Sequence, residues 1–168
     1  MKRMPWRVLV ADDDPEICTL IKTILRNATF EVTVCSDAES ALVNLQRDKG
    51  GFDILISDFM LPGISGIELI TMVRANPATA KIPILMISGH SNYAMDARAK
   101  SAGADHFLNK PFTLSQLRST VTALASKYRA LPPEEMPPPP APRATVGEPL
   151  KVTSASPLTD SNNGSSSS

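Results

Sequence analysis

The chain has 168 residues, 42% of them hydrophobic and 20% charged, the balance of a soluble globular protein with enough apolar material for one core of ordinary size. Seventeen basic and seventeen acidic side chains cancel, so the overall charge calls for neither a nucleic-acid backbone nor an anionic membrane as partner. Cys18 and Cys35 are too few and too far apart for a disulfide framework or a zinc site, and no apolar run approaches the ~18 residues that span a bilayer.

The opening MKRMPWRVLV is basic and then briefly apolar, but Arg7 and an acidic triplet interrupt it before a signal-peptide core can form, so the expected location is cytoplasmic. Trp6 is expected to precede the first strand and pack against the sheet edge. That strand is RVLVA. The helix after it has Asp14 as its cap, Pro15 at its first position and an apolar face of Ile17, Leu20, Ile21, Ile24 and Leu25. A second strand, EVTVC, leads to a helix through ALVNLQ that stops at Gly50 and Gly51. The third strand, DILIS, is apolar between polar ends, as a central parallel strand should be, and a Pro-Gly turn separates it from the helix GIELITMVRA. IPILMIS is the fourth strand, followed by an Ala-rich helix from about Tyr93 to Ala102 and the short strand HFLN, with His106 on its surface. The last helix opens on Thr113 and Gln116 in capping-box spacing and turns Leu117, Val121 and Leu124 to one side.

Five strand–helix pairs in alternation predict an α/β domain, a doubly wound five-stranded parallel sheet with helices on both faces, over residues 5–129. Near Leu131 the composition turns to Pro and then Ser, with few large apolar side chains, so residues 130–168 read as a disordered tail. Its PPPPAPR has the spacing of a ligand for an aromatic groove, although a linker or tether is the plainer role.

Open sheets of this kind bind ligands at the carboxyl ends of their strands. Those ends carry Asp12 and Asp13, then Asp58, Ser88 and Lys110. Two carboxylates about 4 Å apart repel by ~4 kcal/mol at an effective dielectric of 20, so such a mouth either raises its carboxyl pKa values or holds a cation. With oxygen ligands only, Mg²⁺ or Mn²⁺ fits. The plainer alternative is that the triplet only caps a helix, which remains the expected role of Asp14.

VLVADDDPEI, DILISDFMLPGISGIEL, IPILMISG and GADHFLNKPF resemble, in order and spacing, the signature segments of the receiver domain of bacterial response regulators, across essentially all of residues 5–129. The resemblance implies strand order 2-1-3-4-5 and a two-component signalling role. It makes Asp58 the phosphoacceptor and Asp13 a direct metal ligand, with Asp58 and the backbone carbonyl of Met60 completing the protein ligands and Asp12 acting through water. It pairs Lys110 with the phosphoryl group, makes the Lys110–Pro111 bond cis, and gives the switch roles to Ser88 and Phe107. Phe107 has no hydroxyl, so its coupling must come from packing. Met60 and His90 fall at positions that tune phosphoryl lifetime.

The implied reading is a stand-alone regulator with no DNA-binding or catalytic output domain and no membrane or nucleic-acid partner. A sensor histidine kinase or phosphotransfer protein would phosphorylate it, and slow self-dephosphorylation would make it a phosphoacceptor rather than a conventional enzyme. Output would pass through the helix 4/strand 5/helix 5 surface to a protein target, or onward in a relay, from a monomer or a weak phosphorylation-dependent dimer. The rivals are an unphosphorylated interaction module and the receiver part of a longer regulator. A Mg²⁺-dependent metabolite phosphatase fits less well, since it would place its nucleophile in the first acidic cluster rather than after strand three.

Overall fold

A computed structural model describes residues 5–26, 29–48, 51–90 and 92–128. The segment from 130 onward, with its PxxP motif, and Gly50 lie outside the described residues. The elements are β1 (Trp6–Ala11), α1 (Pro15–Leu25), β2 (Phe30–Cys35), α2 (Ala38–Arg47), β3 (Ile54–Asp58), α3 (Gly66–Ala75), β4 (Ile84–Ser88), α4 (Tyr93–Ala102), β5 (His106–Asn109) and α5 (Leu114–Tyr128). All five strands are parallel, in the order β2-β1-β3-β4-β5. This is the doubly wound sheet expected from the alternation.

Pleating divides the core in two, because successive strand residues face opposite sides. Leu9, Leu55, Ile84 and Met86 pack under α2, α3 and α4 with Ala41, Leu69, Val73 and Ala99, whereas Val8, Val10, Ile54, Ile56, Leu85 and Ile87 pack under α1 and α5. β3 and β4 are covered on both faces and are buried throughout, which is why they read as continuous apolar runs.

The helices start where their caps dictate. Asp14 accepts from the amides of Glu16 and Ile17 with Pro15 in the first turn, Asp37 caps α2, Ser65 and Glu68 form a capping box on α3, and Asn92 caps α4. Thr113 and Gln116 close the expected reciprocal pair at α5, at 2.9 and 3.1 Å. α4 ends at Gly103, whose φ of 114° lies in the left-handed region that a side chain disfavours.

Three local expectations are corrected. Leu20 is 40% exposed, and Cys18 takes its place beside Ile21, Ile24 and Leu25, so the inward stripe of α1 is turned toward its smaller residue. Ala125 is the buried partner of Leu117 and Val121 on α5, and Leu124 only borders the core. Trp6 belongs to β1 itself, 5% exposed, with its ring edge-on to Phe30 of the edge strand at 5.3 Å. Among the described residues, no helix is long and apolar enough to cross a membrane.

Candidate functional site

Strand register brings the charged residues to one rim. Ala11 pairs with Ser57, Asp58 with Ile87 and Ser88 with Asn109, so the residue after β1, the last of β3 and β4 and the residue after β5 end at one level. Main-chain bonds carry the sheet one step further: the Asp12 amide donates to Cys35 O at 3.1 Å, Phe59 to Ile87 O at 2.8 Å and Lys110 to Ser88 O at 2.8 Å.

The carboxylates of Asp12, Asp13 and Asp58 lie within 4.8 Å of one another. Asp12 and Asp58 are buried and held in the same way. Each accepts at Oδ1 from the amide two residues on, Asp14 N at 2.9 Å and Met60 N at 2.9 Å. Each accepts at Oδ2 from the Lys110 ammonium, at 3.0 Å for Asp12 and 2.7 Å for Asp58. Asp13 is exposed and makes no hydrogen bond among the described residues. Three carboxylates against one ammonium leave two formal negative charges at the mouth.

The electrostatics follow from burial opposed by pairing. Burial pushes the Asp12 carboxyl up, and the charge of Asp58 adds to this. The Asp14 amide and Lys110 counter only part of the rise. For Lys110, burial acts to lower the ammonium, but the hydrogen bonds and charges of Asp58 and Asp12 outweigh it and its pKa is raised. Oxygen donors alone around an excess of two negative charges suit a hard divalent cation, and Asp12, Asp13 and Asp58 form a cluster able to hold one.

The remaining expected residues surround this cluster. The Lys110–Pro111 bond is cis. Met60 directs its amide at Asp58 while its side chain is 65% exposed. The buried Ser88 hydroxyl donates to His90 O at 2.9 Å and accepts from His90 N at 3.1 Å, so it is engaged with the main chain of the loop before α4. His90 is itself exposed. Phe107 is half-buried against the core under α2, α3 and α4.

Two contributors had no expected role. A Cβ on Gly66 would lie 2.1 Å from the carbonyl oxygen of Asp58, so only glycine lets the first turn of α3 seat directly behind the acidic strand end. The signal was a glycine inside a helix start, where nearly any other residue is a better helix former. The Cys18 thiol donates to the Asp12 carbonyl at 3.2 Å, and its pKa is pushed up by burial and by the charges of Asp12 and Asp14. Nothing in its sequence surroundings marks that contact.

The family model for the response regulator receiver domain matches residues 8–122. Similar curated proteins include the regulatory protein VanRB of Enterococcus faecalis, 35% identical over 76% of this chain and 56% of that protein. The phosphate regulon transcriptional regulatory protein PhoB of Rhizobium meliloti is 33% identical over 73% of this chain and 53% of that protein. The chain thus spans little more than half the length of these two relatives. Among solved structures, the chemotaxis protein CheY4 of Vibrio cholerae superposes with a TM-score of 0.67 at 30% identity, over 71% of this chain and 98% of that one. The Francisella response regulator 1452 receiver domain gives a TM-score of 0.65 at 30% identity, over 72% and 97%. Sheet order, acidic rim and family match agree, and the chain belongs to the receiver domains of two-component response regulators.

Proposed function

We propose that Asp58 is the phosphoacceptor and that the chain takes its phosphoryl group from a phosphohistidine on a sensor histidine kinase or phosphotransfer protein. The observation that carries this reading is the single ammonium of Lys110 bonded to both Asp58 and Asp12 within a group of three carboxylates. In the transfer the histidine N–P bond breaks as an Asp58 O–P bond forms, and the leaving imidazole keeps the electron pair and takes up a proton. Water later cleaves the acyl phosphate and restores the carboxylate. A Mg²⁺ ion, or Mn²⁺ in its place, would be held by Asp13, Asp58, the Met60 carbonyl and, through water, Asp12; when bound it supplies positive charge to the phosphoryl oxygens. Lys110 is already on the oxygen side of Asp58 and pairs with the same group.

Slow self-hydrolysis, set by how Met60 and His90 admit water, makes this a timed mark rather than conventional enzymatic turnover. The Ser88 hydroxyl leaves His90 for the phosphoryl group, Phe107 turns into the space released, and the α4/β5/α5 surface, on which Tyr93 is 90% exposed, changes its fit to a protein target. The working unit is a cytoplasmic regulator acting through this domain, a monomer or weak phosphorylation-dependent dimer, with the Pro/Ser-rich segment as a tether; it signals by docking or by passing the phosphoryl group on. The greater length of the relatives favours a second reading, the receiver part of a longer regulator. The mass of the protein recovered from its native cells separates the two.

The test is intact mass after incubation with acetyl phosphate, with and without Mg²⁺, for wild type and Asp58→Asn. A Mg²⁺-dependent gain of one phosphoryl group in wild type alone is the expected result. A gain in the variant moves the acceptor elsewhere, and no gain from acetyl phosphate or a phosphohistidine donor leaves an unphosphorylated interaction module.

A further inference from the structure

The acidic mouth has an oxidisable side chain in the open beside it. Of the four methionines among the described residues, Met86 is fully buried in β4, Met95 is half-buried against the core, Met72 on α3 is 46% exposed and Met60 is 65% exposed. Of these, Met60 alone bonds to one of the clustered carboxylates, its amide donating to Asp58 Oδ1 at 2.9 Å. The residue before it is pinned on both sides, with the Phe59 amide donating to Ile87 O at 2.8 Å and the Gly66 amide donating to Phe59 O at 3.2 Å. The backbone therefore cannot carry the thioether away, and the side chain branches off two residues past the acid, where water reaches it. The thiols nearby are shielded. Cys18 and Cys35 are both buried, the first with its thiol on the Asp12 carbonyl at 3.2 Å and the second accepting from Asn44 Nδ2 at 3.3 Å. An oxidant arriving at this face from solvent meets the sulfur of Met60 first.

We propose that Met60 is an oxidation-sensitive timer: hydrogen peroxide converts its thioether to the sulfoxide, and the sulfoxide shortens the life of the phosphoryl group on Asp58. In the oxidation a sulfur lone pair takes one oxygen atom from the peroxide, the O–O bond breaks and the other oxygen leaves as water. Sulfur is thereby oxidised by two electrons and the peroxide reduced. A thioether accepts hydrogen bonds weakly and holds little water, whereas a sulfoxide is polar and its oxygen accepts strongly. That oxygen holds a water molecule at the rim. The water attacks phosphorus, the Asp58 O–P bond breaks with its electron pair going to the carboxylate, and inorganic phosphate leaves. Sulfoxide reductases, one for each epimer, restore the thioether, so the change can be undone. The hydrolysis step rests on the phosphoacceptor reading above, whereas the oxidation of Met60 does not.

The experiment compares peroxide-treated and untreated protein by peptide mass mapping, and by the loss of phosphoryl mass in Mg²⁺ once acetyl phosphate is removed. A thiol reductant after the peroxide reverses any disulfide or sulfenic acid and leaves sulfoxides in place. Met60 should gain an oxygen atom ahead of Met72 and Met95, and the phosphoryl lifetime should shorten roughly fivefold, the size of one net hydrogen bond. Both sulfoxide reductases together should restore it. Met60→Leu, whose side chain cannot be oxidised, should keep its own lifetime through the peroxide treatment, whatever that lifetime is, while Met72→Leu should respond as wild type does. Met60→Gln, with an uncharged polar side chain of similar length, should shorten the lifetime without peroxide. Oxidation of Met72 or Met95 ahead of Met60 overturns the choice of residue. Full sulfoxide at Met60 with an unchanged or longer lifetime overturns the timer, as does an equal peroxide response in Met60→Leu, and a wild-type lifetime in Met60→Gln removes the water-holding step. All of these leave the phosphoacceptor standing. Untreated wild type that gains no phosphoryl mass from acetyl phosphate or a phosphohistidine donor overturns the phosphoacceptor and the timer with it, and the peptide map still decides whether Met60 is the oxidised residue.

Discussion

At the amino-terminal pole of the sheet Arg74 donates four hydrogen bonds to main-chain carbonyls and a fifth to Asp105. Arg7 does likewise with Gly51 O and Asp48. At the carboxyl-terminal pole Lys110 meets two of three clustered carboxylates, and negative charge remains over. Both poles hold partly buried charge, yet one is matched group for group and the other is not. Matched charge fixes a backbone and leaves nothing to react. Unmatched charge opposes folding and is kept where an ion or a phosphoryl group can complete it.

The comparison breaks most severely at Gly66, which the acidic pole needs for geometry rather than charge. Gly66→Ala places a methyl group 2.1 Å from the Asp58 carbonyl; we expect a loss of about 3 kcal/mol in urea unfolding together with reduced acetyl-phosphate labelling of Asp58. Arg74→Met should cost about 2 kcal/mol, because it strands carbonyls and a carboxylate that the guanidinium now satisfies. Labelling at Asp58 should survive it, which separates the poles functionally. Mg²⁺ sharpens the contrast from the other side: at ten times its Kd it should stabilise wild type by about 1.4 kcal/mol, seen as a rise in Tm that Asp13→Ala lacks.

The smallest expected effect is alkaline. The folded pKa of Lys110 lies above its ordinary value of 10.5, so between the two values the unfolded chain loses its proton first and stability falls as pH rises. Below that window the contribution is fully present. Urea midpoints measured across it should fall more steeply for wild type than for Lys110→Met.

The sheet was readable because a chain that alternates buried strands with amphipathic helices has few other ways to cover itself. The acidic rim was readable because Asp12, Asp13 and Asp58 stand at strand ends, where burial of the backbone leaves only the last side chain to do chemistry. Leu20 was misplaced for a reason of phase: Ile17, Leu20, Ile21 and Ile24 fit helical spacing as well as Cys18, Ile21, Ile24 and Leu25 do, and hydrophobicity alone favours the leucine. Arg74 was invisible because its partners are mostly loop carbonyls, which every residue carries. Gly66 and the Cys18 thiol act through backbone atoms too, and a one-letter string does not distinguish one carbonyl from another.

The single indole also has a practical consequence. Trp6 is at the start of β1, six residues before Asp12, and at ~3.3 Å per strand residue about 20 Å separates the ring from the acidic mouth. Sealed against Phe30, its emission should report whether the chain is folded and stay silent on what happens at Asp58. An optical reporter of phosphorylation therefore has to be introduced, and the exposed first turn of α4, at Tyr93, is the place for it.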